Sequence, residues 1–141
     1  MTAGRHRLRV PAAGVPRGAR LLVAVWLGGA AGTTVRFALA QGVPSSPGAW
    51  PWATLAANLA GCLVLGALLA LPAGGWRRPL VGAGFCGALT TFSALPVESI
   101  ALARDGAPAL AVLYAATSVA AGLACVELGA RVAARPRPGS A

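Results

Sequence analysis

The chain of 141 residues has no lysine and only three acidic side chains, Glu98, Asp105 and Glu127. Without lysine there is no glycine-rich phosphate-binding loop of the kind that cradles nucleotides, and no catalytic triad appears in the sequence. The chain is therefore not expected to be an enzyme. Three cysteines, Cys62, Cys86 and Cys125, are an odd number without metal-ligand spacing, and each lies inside an apolar stretch. They are small packing residues. Charged residues make up 11% of the chain against 57% hydrophobic ones, and the mean hydropathy is +0.71. That balance places a single domain in a bilayer rather than in water.

What the chain has in quantity is arginine, twelve residues that give a net charge of +9. A nucleic-acid partner would explain such a charge, but the placement argues against one. Arg5, Arg7, Arg9, Arg17 and Arg20 precede the first apolar run, Arg77 and Arg78 share a short connection, and Arg131, Arg135 and Arg137 fill the tail. No aromatic-interleaved basic face accompanies them, so they mark the flanks of membrane spans.

A hydrocarbon core of about 30 Å calls for roughly 20 apolar residues in a helix. Four such runs occur, from Arg20 to Ala40, Trp52 to Leu71, Pro79 to Ala103 and Ala107 to Arg131. Backbone amides in lipid have no water to bond, so each run is expected to be helical, and the fold is an all-α membrane protein of four transmembrane helices. Residues 1–19 form an Arg-rich segment expected to be disordered, 20–131 the four-span domain and 132–141 a tail. The first run competes with a secretory signal peptide ending near Ala38-Leu39-Ala40, but Arg36 sits awkwardly for that reading and three further spans follow. Arginine is concentrated on the side of the two termini and the second connection, which predicts cytoplasmic N and C termini in a cell (inner) membrane protein.

Polar residues inside spans are costly and informative: Arg36, Asn58, Thr90, Thr91, Ser93, Glu98, Tyr114, Ser118 and Glu127. In the third span Gly82, Gly84 and Gly87 lead into Thr90-Thr91-Phe92-Ser93, with Pro96 beyond, so weak helix formers crowd its middle. Either the helix is broken there, exposing backbone groups to protein, water or an ion, or it is kinked with Thr and Ser bonding back to carbonyls. Glu127 and Arg131, four apart, are expected to pair on the helix surface.

Three stretches then stand in order: Gly28-Gly29-Ala30-Ala31-Gly32-Thr33-Thr34-Val35-Arg36, Thr54-Leu55-Ala56-Ala57-Asn58-Leu59-Ala60-Gly61, and Gly84-Phe85-Cys86-Gly87-Ala88-Leu89-Thr90-Thr91-Phe92-Ser93. Together they resemble the signature stretches of the CrcB (Fluc) family of fluoride ion channels. The resemblance implies an antiparallel dimer of four-span subunits, a third helix broken near its middle, and passive export of fluoride that relieves its toxicity. It implies a fluoride pore at Asn58, Phe92, Tyr114, Ser118, Thr91 and Ser93. A sodium ion at the dimer interface would be held by the main-chain carbonyls of Gly87 and Thr90. Glu98 matches a recurring family acid of vestibule or structural role, and Arg36 is either a snorkelling residue or an attractor of anions. Leu95 stands where the family pattern has a second phenylalanine. That departure and the one-sided arginine suggest pairing with a paralogous subunit of opposite orientation. The partners are then fluoride, lipid and a second subunit, with no nucleic acid. Two rivals are a four-span multidrug or metabolite exporter, for which Glu98 is the one candidate membrane carboxylate, and a non-conducting partner subunit.

Overall fold

The computed structural model describes residues 17–43, 46–72 and 75–135. The expectations for residues 1–16 and for the tail beyond 135 fall outside the described residues.

All regular structure among the described residues is helical. The first helix, Arg17–Gly42, and the second, Trp52–Ala70, are continuous, and the last is Pro108–Ala133. Between them lie Arg78–Cys86, Gly87–Leu89 and Ala94–Arg104. Four segments are long and apolar enough to cross a membrane: Gly18–Gly42, Trp52–Ala70, Arg78–Arg104 and Pro108–Ala134. They fall within a few residues of the four expected spans. Proline sets several ends. Leu71, which precedes Pro72, is extended at φ −85° and ψ 150° and stops the second helix, as a residue before proline tends to do. Pro108 opens the fourth span, where a missing N–H costs nothing.

The third span begins differently from expectation. Arg78–Cys86 is wound wide, with bonds to the fifth residue rather than the fourth. The sequence pointed to irregularity only in the middle of the span. Gly84 lies against the first span so closely that a β-carbon there would overlap the Val25 carbonyl, and glycine at 82, 84 and 87 gives the helix little intrinsic preference to resist rewinding.

Packing runs in two pairs. The first span meets the start of the third through Gly28 and Gly32, whose missing side chains admit the Leu80 and Phe85 carbonyls. The second span meets the fourth through Gly66 and Gly129. Lipid is as apolar as leucine, so helices associate in it by close van der Waals approach, and glycine permits that approach. Large apolar side chains such as Trp26, Phe37, Val112 and Leu123 face outward, as lipid contact requires. One apolar core forms where Leu55, Leu102, Ala111 and Tyr114 meet, with Trp50, Leu59, Leu95 and Leu110 around them. The Trp50 ring stands edge-on to Tyr114 with centroids 5.6 Å apart.

Consecutive antiparallel spans bring the first and third connections to one end of the bundle. There Gly48 donates its N–H to Asp105 Oδ2 at 2.8 Å. The opposite end gathers the chain's entry, its exit and the second connection.

Candidate functional site

Thr90 leaves helical geometry, at φ −85° and ψ 154°, and the next helix does not begin until Ala94. In a regular helix the Thr91 N–H would bond the Gly87 carbonyl. It goes instead to Asn58 Oδ1 at 2.8 Å, while Asn58 Nδ2 donates to the Thr91 carbonyl at 3.1 Å. One side chain of the second span thus satisfies both main-chain groups of a residue in the third, at a place where an orphaned group would cost about 1–3 kcal/mol. The exchange frees the Gly87 carbonyl from that helical partner. Thr90 is anchored separately: its N–H and its hydroxyl both donate to the Cys86 carbonyl, each at 2.9 Å. A β-carbon at Gly61 would collide with the Thr90 methyl, so the glycine one turn after Asn58 makes room for this backbone. The hydroxyls of Thr91 and Ser93 lie 3.2 Å apart, and Ala94 donates its N–H to Thr91 Oγ1 at 3.4 Å.

Beside this junction is a cavity of about 420 Å³. Six of the residues singled out from the sequence line it: Asn58, Gly87, Thr90, Thr91, Phe92 and Ser118, together with Leu95. Phe92 is 81% exposed, and the Ser118 hydroxyl is buried without a partner. Asn58 keeps a second amide hydrogen beyond the one given to Thr91. The wall is otherwise apolar, so the cavity offers a few neutral donors and an aromatic side chain without a carboxylate, a lining that suits a small anion stripped of water.

Tyr114 is not on that wall. It is fully buried, and its hydroxyl donates to Glu98 Oε2 at 2.5 Å while Thr54 donates to Oε1 at 2.5 Å. Glu98, for which the resemblance implies a vestibule or structural role, is thereby the shared acceptor of the second and fourth spans. It lines, with Thr54 and Asp105, a second cavity of about 340 Å³. Thr54 was missed, although its place four residues before Asn58 puts both on one helical face and was legible. Ser93 and Arg36 line neither cavity. Glu127 and Arg131 do pair, at 2.6 Å, in the one ion pair among the described residues.

Replacing Tyr114 with phenylalanine keeps the ring packing and removes one of the two donors to Glu98. A loss of about 1–3 kcal/mol is expected, read as a lower melting temperature in detergent. An unchanged midpoint would show that Glu98 does not depend on this hydroxyl.

A family model described as CrcB-like protein, Camphor Resistance (CrcB), matches residues 23–130. The chain is 42% identical over 123 residues to fluoride-specific ion channel FluC 1 of Mycolicibacterium paratuberculosis, covering 84% of this chain and 93% of the relative. It is 46% identical over 112 residues to fluoride-specific ion channel FluC 2 of Rhodococcus jostii, covering 79% and 96%. The fluoride-specific ion channel FluC of Chlorobaculum tepidum is 41% identical over 114 residues, covering 77% and 90%.

Proposed function

The chain belongs to the CrcB family, and from that premise we propose that it is a subunit of a fluoride-specific ion channel in which fluoride passes the Asn58–Thr91 junction. It is a multi-pass membrane protein and not an enzyme. The observation that carries the reading is the cavity in which six of the residues picked from the sequence converge beside a span whose helical bonding is replaced by Asn58.

Fluoride is small and strongly hydrated, so a selective path replaces its water with close donors while binding loosely enough at several places for release. The second Asn58 amide hydrogen, the Thr91 and Ser118 hydroxyls and the positive edge of Phe92 are the donors of this path. Tyr114 and Ser93 support it from behind, through Glu98 and Thr91 respectively. The third helix is broken at Thr90–Ser93 for this purpose. Flow is passive, and with cytoplasmic termini it exports fluoride down its gradient.

Sodium fits the same junction by its chemistry. A hard cation prefers oxygen ligands, and the Gly87 and Thr90 carbonyls belong to backbone released from regular helix. When bound there between two subunits, it would supply a fixed positive charge. The assembly is an antiparallel dimer. Leu95 in place of a ring and the one-sided arginine favour a paralogous companion of opposite orientation, in accord with relatives numbered FluC 1 and FluC 2. In that pairing one pore lacks a ring contact, which is the observation in favour of a weakly conducting subunit.

Fluoride efflux from liposomes, followed with a fluoride electrode, tests the reading. Efflux is expected when the chain is reconstituted with its companion, and little from the chain alone. Robust efflux from the lone chain would dismiss the obligate companion, and none from any combination would dismiss the channel.

A further inference from the structure

The end of the bundle where the chain enters and leaves carries Arg20, Arg77, Arg78, Arg131 and Arg135, all exposed. The contacts above assemble this end. Gly129 of the fourth span packs on Leu63 and Ala67 near the end of the second, and Gly28 of the first packs on Leu80, two residues after Arg78. The whole sequence has three acids, and two of them are elsewhere: Glu98 between spans and Asp105 at the other end. The third, Glu127, is held by Arg131 at 2.6 Å. Among the described residues no aspartate or glutamate side chain is left to balance the doublet Arg77-Arg78. Beside the doublet, Trp76 is 60% exposed. An amphipathic indole in that place sits at headgroup depth, where neither an acidic protein nor free phosphate would need it. The spans that end here also carry outward apolar side chains: Leu69 at the end of the second span, and Leu128 and Val132 four apart on the fourth, all more than half exposed.

We propose that this end binds an anionic phospholipid, with its phosphate held by Arg77 and Arg78, its glycerol region against Trp76, and its acyl chains along the apolar flank below. Guanidinium forks match phosphate oxygens in pairs, and basic groups at span ends gain anionic headgroups by the same attraction.

The test uses the full chain, delipidated in detergent and titrated with phosphatidylglycerol or phosphatidylcholine. Bound lipid is counted by native mass spectrometry and melting is followed in parallel. Phosphatidylglycerol is expected to be retained and to raise the melting temperature, and phosphatidylcholine to do neither. Arg77→Gln with Arg78→Gln should lower the apparent affinity for phosphatidylglycerol about thirtyfold. The paired change to lysine should retain most of it, and Arg104→Gln, at the opposite end, should leave it unchanged. Equal retention of both lipids, an undiminished affinity in the double glutamine variant, or full displacement by millimolar inorganic phosphate would overturn the proposal. These readouts stand whether or not fluoride flux is observed.

Discussion

Asn58→Leu is expected to abolish fluoride passage and to lower stability together, because in the pore proposed above the one side chain serves two purposes. Leucine fills a similar volume but neither donates to the Thr91 carbonyl nor accepts its N–H, bonds now 3.1 and 2.8 Å long. Two main-chain groups in the membrane interior are then orphaned at about 1–3 kcal/mol each. A barrier raised by about 3 kcal/mol slows passage roughly a hundredfold. Asn58→Asp separates the two purposes. It preserves an acceptor for the Thr91 N–H, so more of the fold is retained, but it removes the donor and sets a carboxylate beside the path. Flux should fall as far as in the leucine variant with a smaller drop in melting temperature. Liposome efflux and detergent melting on the same preparations decide the matter, and normal efflux through Asn58→Asp would remove the amide from the mechanism.

Gly129→Val is the second large effect, and it is expected to prevent assembly of the second and fourth spans. A β-carbon at 129 would overlap the Leu63 carbonyl, and one at 66 would overlap that of Val126. The obstacles are backbone, which cannot swing aside as a flexible side chain does. Ordinary overpacking costs about 1–3 kcal/mol, and a collision with main chain on both sides of a helix pair exceeds it, so the spans must separate. Gly122 supplies the contrast on the same helix. A β-carbon there would meet Cys62 Sγ at 3.6 Å, an ordinary contact, so Gly122→Ala should fold. Size-exclusion chromatography in detergent should show one symmetrical peak for Gly122→Ala and aggregate for Gly129→Val or Gly66→Val. A monodisperse, normally melting Gly129→Val protein would contradict the close packing described.

The four spans were legible because crossing a bilayer is a local demand: each segment must be long and apolar, and those properties are written in consecutive residues. The Glu127–Arg131 pair was legible for the same reason, since one helical turn relates its members. Gly28 and Gly32, four apart in the sequence, are consistent with close helix contact, but which backbone fills each gap, and that Gly66 and Gly129 do the same for the other pair, came only from the structure. The candidate site needed more. Asn58 meets Thr91 across 33 residues, and Glu98 gathers Thr54 and Tyr114 from 44 and 16 residues away. The family resemblance places Tyr114 and Ser118 together along one pore, and the structure gives the Tyr114 hydroxyl to Glu98 and puts Ser118 on the cavity wall. A polar atom in a membrane takes whichever partner the packing of neighbouring spans brings within about 3 Å. Composition and spacing therefore established which side chains had to find partners, and the assembled bundle chose the partners, because that choice depends on distances between helices that no single helix contains.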